Sequence, residues 1–246
     1  MQANEYELMR DVQGQHWWWL GRERLLRYMM DKYLVGDRRD YLVADVGSGF
    51  GANISLLSEY GTVYALETDS DCLAYISETE PEATPIRWQS PEPVDHKFDV
   101  MLLADVLEHI EDDHAAMQWV ADHLKPGGLA FITVPAHMHL WSEMDEVVHH
   151  FRRYSKNALL DTVNSKLTIE KLSFYNAILY PVKILFVALT TALRMFFPAK
   201  TKKSYNDLPP SFINTIFKVI MYVEAWVIRC INLPFGVSLV MVVKKL

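Results

Sequence analysis

Short apolar runs alternate with amphipathic stretches over the first half of the chain. Residues 41–46 (YLVADV), 63–67, 98–104 (FDVMLLA) and 129–134 are almost continuous apolar runs bounded by glycine, proline or polar residues. This is the pattern of strands covered on both faces. A weaker strand is expected near residues 86–88. Between these runs the spacing turns helical. Leu25, Leu26, Met29, Met30 and Tyr33 come first, then NISLLSEY, then Cys72, Leu73, Tyr75 and Ile76. Residues 115–124 follow the same rule until Lys125-Pro126-Gly127-Gly128 stops them. The alternation predicts an α/β fold, an open and mostly parallel sheet with helices on both faces.

After Pro135 the pattern changes. Residues 136–156 are polar and crowded, a long connection at the carboxyl end of a strand, where sites are commonly built. A helix over residues 157–163 and a strand over 167–175 resume the alternation. Two apolar helical stretches follow, 176–198 and 212–233, separated by PAKTKKSYNDLPP, and residues 237–243 read as a terminal strand. The chain is thus expected to be one domain over 1–246, with a helical cap over 1–35 and a helical insertion over 176–233. The cap carries Trp17, Trp18 and Trp19, and three adjacent indoles cannot all face one core.

Composition narrows the picture. Half of the 246 residues are hydrophobic and 22% are charged, which excludes disorder for the whole chain. Cys72 and Cys230 are too few for a disulfide framework or a cysteine-rich metal site. The net charge of -7 is unevenly spread: from residue 161 onward eleven bases face four acids. The acidic body does not suit nucleic acid, and none is expected as a partner. The basic, greasy remainder suits an anionic membrane surface. Lys183 and Arg194 are eleven residues apart, as are Lys218 and Arg229. Eleven residues at about 100° each return to within about 20°, so each pair shares a stripe of its helix. Lys200, Lys202 and Lys203 cluster between the two helices. A soluble lid or a homodimer contact would bury the same helices. The opening MQANEYELMRD lacks an export signal, so a cytoplasmic protein is expected, at the inner face of the membrane if the insertion contacts lipid. No stretch of 18 apolar residues is free of charge, which disfavours a spanning helix.

The candidate chemistry begins with Asp45-Val46-Gly47-Ser48-Gly49-Phe50-Gly51 between a strand and a helix. Glycines at alternate positions allow a tight turn and close approach of backbone to a ligand. Glu67 ends the next strand, where a carboxylate accepts both hydroxyls of a ribose. The spacing differs from the dinucleotide fingerprint, and the Walker pattern is absent. A nucleoside ligand without a pyrophosphate is favoured.

With Phe98-Asp99-Val100 through Ala104-Asp105-Val106-Leu107-Glu108-His109-Ile110, and with the Lys125–Gly128 turn, the chain resembles the class I S-adenosylmethionine-dependent methyltransferases. Within them it looks closest to the small-molecule branch that includes the ubiquinone-biosynthesis O-methyltransferases. The resemblance implies a Rossmann-like seven-stranded sheet whose last strand runs antiparallel, with the apolar insertion between strands six and seven. It implies S-adenosylmethionine as cofactor, held by Asp45, Gly47, Ser48, Gly49, Gly51, Glu67, Thr68, Ala104 and Asp105. Gln89 or Ser90 would meet the adenine, and Trp18 and Arg22 would close over the cofactor. The ubiquinone branch surrounds a divalent ion with acids and a histidine, and Asp105, Glu108 and His109 match in type; no metal is carried into the assignment.

The acceptor is expected at residues 136–156. His149, His150 and His109 are the candidate bases, since imidazole titrates near neutrality. His137, Trp141, Arg152, Arg153 and Tyr154 are the candidate substrate residues, with the two arginines as a clamp for carboxylate or phosphate. An ion pair of Asp145 with Arg152 or Arg153 is the structural alternative. The expected reaction is methyl transfer to a small-molecule or lipid-linked acceptor, at oxygen in preference to nitrogen or carbon. An NAD-dependent oxidoreductase and a non-catalytic, membrane-associated nucleoside-binding protein are the competing readings.

Overall fold

A computed structural model describes residues 10–34, 40–196 and 208–246 of the chain. The first helix, α1, spans Trp17–Tyr33, and the His16 side chain caps it by accepting from the Trp18 N–H. Then follow β1 (Tyr41–Val46), α2 (Ile54–Ser58), β2 (Gly61–Glu67), α3 (Ser70–Thr79), β3 (Thr84–Arg87) and β4 (Phe98–Ala104). After them come α4 (Asp113–His123), β5 (Leu124–Pro135), the short α5 (Glu143–Val147), α6 (Lys156–Asp161) and β6 (Leu167–Tyr175). The insertion supplies α7 (Tyr180–Phe196) and α8 (Ser211–Ile228), and β7 (Ser238–Lys245) ends the fold.

The strands form one seven-stranded sheet in the order β3-β2-β1-β4-β5-β7-β6. β7 runs antiparallel between β5 and β6, and the other neighbours are parallel. The seven-stranded sheet with its reversed last strand is therefore as expected. The order reverses between β1 and β4, which opens a crevice at their carboxyl ends. Two apolar layers cover the sheet. One packs Met117, Trp119 and Val120 of α4 and Leu159 of α6 against it. The other uses Leu25, Leu26, Met29 and Met30 of α1 with Met221, Ala225 and Ile228 of α8.

Among the boundaries that differ from expectation, three have a visible cause. β3 stops before Trp88, whose indole N–H instead donates to the Glu92 carbonyl at 2.6 Å while its ring packs on Trp119. β5 starts early because the 125–128 turn is absorbed as a bulge: Phe98 pairs with Leu124 and Val100 with Leu129. Gly128 permits it, since a Cβ there would lie 2.9 Å from the Lys125 carbonyl oxygen. α8 ends at Ile228 because the Lys171 ammonium donates to the carbonyls of Ile228 (2.6 Å) and Ile231 (3.0 Å).

α8 lies alongside α1 in the same direction. Trp17 meets Phe217, and at the other end Lys32 donates to the Arg229 carbonyl. Gly21 sets the closeness, since its Cβ would lie 2.6 Å from Met221 Cβ. Glu224 of α8 accepts from the backbone N–H groups of Ala177 (2.8 Å) and Ile178 (3.0 Å), fixing the start of the insertion. The outer face of α8 carries Phe212, Ile216, Val219, Val223 and Trp226, all exposed, at helical spacing. α7 exposes Val182, Leu185, Leu189 and Leu193 in the same manner. Residues 200, 202 and 203 and the side chain of Arg194 lie outside the described residues.

Candidate active site

The glycine loop after β1 is shaped by three positive φ angles, 67° at Gly47, 53° at Gly49 and 80° at Gly51. A Cβ at Gly47 would lie 2.8 Å from Val106, and one at Gly51 2.8 Å from Ile54. Beside Gly49 there is open space within 4 Å, so a ligand can approach its backbone. Glu67 at the end of β2 holds the loop. Its carboxylate accepts from the N–H of Gly49 (2.8 Å), Thr68 (2.7 Å) and Asp69 (3.1 Å) and from the Thr68 hydroxyl. Oε1 takes three of these bonds and Oε2 only that from Gly49, so Oε2 keeps acceptor capacity for a ribose hydroxyl. Beneath the loop, Asp45 is wholly buried, and burial raises its carboxyl to about 7 against the opposing charge of Arg22. Asp45 Oδ2 and the Ser48 hydroxyl are buried with no hydrogen-bond partner among the described residues. Open glycine backbone, unpaired polar atoms and an acid poised beside them fit the nucleoside and amino-acid parts of S-adenosylmethionine.

β4 delivers Asp105 opposite this loop, at a φ of 58°. Arg22 of α1 reaches across, donating to Asp105 Oδ2 at 2.5 Å and to the Ala104 carbonyl at 3.3 Å. Its guanidinium lies under Trp18 and Trp19, 4.7 and 5.2 Å from the ring centroids. The indoles divide their work: Trp17 packs on α8, and the other two cover Arg22. Gln89 is exposed, and Ser90 has a buried hydroxyl without a partner.

On the acceptor side, Glu108, His109 and His150 come together from the β4 exit and the 136–156 connection. One ligand atom from each lies within 4.8 Å of the others. Glu108 is fully buried, neither oxygen has a hydrogen-bond partner among the described residues, and burial raises its carboxyl well above the usual range, with Asp105 adding to it. Burial holds His109 down at about 4, with His150 adding. His150 is oriented by Asp145, whose Oδ1 lies 2.9 Å from Nδ1. Its Nε2 faces Glu108 at 3.8 Å. Burial works to raise Asp145, but His150 and the Arg153 charge prevail and hold it below the carboxylate range. The divalent ion suggested by the family likeness fits Glu108, His109 and His150. Asp105, matched in type, is engaged by Arg22 instead.

Several expected substrate residues have other duties. Arg153 donates to Asp145 at 2.7 Å, and Arg152 pairs with Asp113 at 2.6 Å, so neither is a free clamp. Tyr154 is buried, and its hydroxyl donates to Asp113 at 2.7 Å, which puts it in the wall of the site rather than on its surface. His149 is exposed at a φ of 61°, and it meets His109 through its backbone, while the other two candidate bases are half-buried. Trp141 is half-buried on the rim, and His137 stacks on Phe174. Asn176, Tyr180 and Lys183 also reach this rim; the sequence marks only Lys183, and only as part of a basic stripe. They arrive through the turn from β6 into α7.

A profile of the methyltransferase domain matches residues 22–177, from Arg22 through the whole acceptor connection. No curated protein sequence matches the chain. Among solved structures it is similar to coclaurine N-methyltransferase bound to N-methylheliamine and SAH, with 13% identity, 92% of this chain and 70% of that one covered, and a TM-score of 0.58. It is similar to an S-adenosylmethionine-dependent methyltransferase from Mesorhizobium loti, with 14% identity, 86% and 94% covered, and a TM-score of 0.55. A TehB-like methyltransferase from Corynebacterium glutamicum gives 17%, 92% and 88%, and 0.54. At these identities the structural likeness carries the fold. The profile takes in well over half of the chain and both walls of the cleft, so the chain belongs to the methyltransferase-domain family and is an S-adenosylmethionine-dependent methyltransferase.

Proposed function

We propose that the enzyme methylates an oxygen of a lipid-linked acceptor at a membrane surface. The observation that carries this reading is the exposed apolar helix α7, which leaves the sheet beside the acceptor rim. Leu185 is 59% exposed and Leu193 is 59% exposed, and on α8 Trp226 is 60% exposed. Exposed apolar stripes of this extent mark an interaction site. A spanning arrangement is opposed by the contacts of α8 with α1, by the Glu224 link and by the direct passage into β7. The two helices suit the interfacial region, with the acceptor's apolar part in the lipid.

The proposed roles follow from the geometry. Gly47, Gly49 and Gly51 cradle the cofactor, Ser48 and Asp45 bind its polar tail, and Glu67 and Thr68 take the ribose. When bound, the cofactor supplies an electrophilic methyl group on a sulfonium, whose sulfur becomes neutral as the carbon–sulfur bond breaks. Trp18, Trp19 and Arg22 close that side and exclude water. His150, with Nδ1 fixed by Asp145, presents Nε2 to take the proton of the acceptor hydroxyl as the oxygen–carbon bond forms. A divalent ion at Glu108, His109 and His150 is the second reading, favoured by the clustering of their ligand atoms; it would acidify the acceptor hydroxyl and leave His150 no base role. The types of Asp105, Glu108 and His109 support kinship with the ubiquinone branch.

The test uses radiolabelled-methyl S-adenosylmethionine with the full chain and a total lysate, followed by partition between organic solvent and water. Label in the organic phase is expected. Label confined to water would move the acceptor to a soluble metabolite or glycan and recast α7 and α8 as a lid or a homodimer contact.

A further inference from the structure

The rim holds a second cluster that methyl transfer leaves unused. The His137 ring stacks on Phe174 with centroids 5.0 Å apart and interplanar angle 7°, and Tyr180 stands 5.5 Å away. His137 Nε2 is buried without a hydrogen-bond partner among the described residues. Asn176, the first residue after β6, is 4% exposed, and its side-chain oxygen is likewise unpartnered. Lys183 follows Tyr180 by three residues and so shares its face of α7. It is half-buried within the fields of Arg153 and Asp145. Burial lowers its ammonium to about 8, and Arg153 pushes the same way. The carboxylate in its field, Asp145, is committed to Arg153 at 2.7 Å. No described carboxylate forms an ion pair with Lys183.

Unpaired buried polar atoms and a desolvated cation without a counter-charge are each unfavourable. The Lys183 ammonium has the Phe186 ring 5.7 Å away, and one oxyanion within reach of all three groups would relieve each of them. We propose that His137, Asn176 and Lys183, closed on one side by Tyr180, form a subsite for an anionic oxygen group, phosphate or carboxylate, borne by the acceptor where its apolar part meets α7. Lys183 supplies charge, and His137 donates from Nε2. Asn176 donates through its amide, whose oxygen and nitrogen exchange by a simple flip. The N-terminal end of α7 adds a favourable dipole. This takes the anion-binding role that Arg152 and Arg153 cannot fill, and it rests on the lipid-linked reading above.

The test measures binding rather than turnover. Full-length protein with SAH is titrated with dihexanoyl phosphatidic acid, dihexanoyl phosphatidylcholine and inorganic phosphate. Phosphatidic acid should bind about tenfold tighter than the zwitterionic lipid, as expected for hydrogen bonds to a charged group. Inorganic phosphate should bind much more weakly than either lipid. Lys183→Met and, from the other side of the cluster, His137→Gln should each abolish the preference and leave SAH affinity unchanged. Equal binding of the two lipids, or a preference that survives both substitutions, overturns the subsite. Inorganic phosphate binding as tightly as phosphatidic acid overturns its assignment to the acceptor. Label transfer to the organic phase with equal binding of the two lipids would leave the methyl-transfer reading standing while the subsite falls.

Discussion

Arg22 and Asp105 form a largely buried ion pair at 2.5 Å that ties the N-terminal helix to the carboxyl end of the fourth strand. The pair closes the cleft on the side opposite the glycine loop, under two indoles. Removing one partner of a buried pair leaves the other charge uncompensated, at a cost of about 3–5 kcal/mol. Arg22→Ala should therefore lower thermal stability sharply and weaken cofactor binding. Arg22→Lys should recover part of the stability and little of the indole stacking. Thermal denaturation with and without SAH reads both, and an unchanged melting temperature for Arg22→Ala would refute the role.

Glu67 accepts three backbone N–H groups and carries the proposed ribose contact as well. Glu67→Gln turns one acceptor into a donor aimed at the same N–H groups. SAH affinity should fall at least about tenfold, in line with the loss of one hydrogen bond to a charged group. Isothermal calorimetry checks this, with the fold monitored by circular dichroism.

Much of this site was legible in the sequence because it is local. Gly47, Gly49, Gly51 and Glu67 sit at fixed offsets from strands whose apolar runs are unmistakable, and turn chemistry leaves few other residues at those positions. The rim was less legible because its contacts are made between distant segments. The sequence offers the pairing of Arg153 with Asp145 only as one of two alternatives, and it offers Tyr154 as a substrate residue because an aromatic residue in a polar loop has no periodicity to show which way it points. Lys183 looked like part of a basic stripe. Its inward lean depends on the path of the 176–179 turn, which Glu224 sets from more than forty residues away.

Gly21 offers a check on the helix pairing. Its Cβ would meet Met221 Cβ at 2.6 Å, and both atoms are on packed helices. Gly21→Val should destabilise by about 1–3 kcal/mol through overpacking, despite the better helix propensity of valine. Met221→Ala alone should also destabilise, by opening a cavity. The double variant should be more stable than the sum of the two losses predicts. Strict additivity in chemical denaturation would mean that the helices do not touch there.

Asp45 makes a prediction about pH. Its carboxyl rises from 3.8 to about 7 in the fold, chiefly by burial. The folded state thus binds the proton more tightly than the unfolded one. The associated stability is present below pH 4, declines as pH rises towards about 7, and changes little beyond it. Asp45→Asn should lose that decline. S-adenosylmethionine carries a net positive charge that SAH lacks, so its affinity should improve from pH 6 to pH 8 while that of SAH changes less. Proton release on binding, measured in buffers of different ionisation enthalpy, should accompany it. A pH-independent ratio of the two affinities would rule out this role for Asp45.

The outer stripe of α8 separates membrane contact from folding. Phe212, Val219 and Trp226 are 66%, 51% and 60% exposed, and their opposite face, not they, packs on α1. Replacing each of the three by glutamate places charge where an interfacial helix meets acyl chains, but removes no packed side chain. The triple variant should keep its melting temperature and SAH affinity. It should no longer float with vesicles of phosphatidylcholine and phosphatidylglycerol, whereas the unaltered protein does. If both proteins stay in the soluble fraction, the stripe has a different partner, and a concentration-dependent change in mass that the triple variant abolishes would identify it as a second copy of the chain. If both float, the membrane contact lies elsewhere, and α7 with its exposed Leu185 and Leu189 becomes the next element to charge.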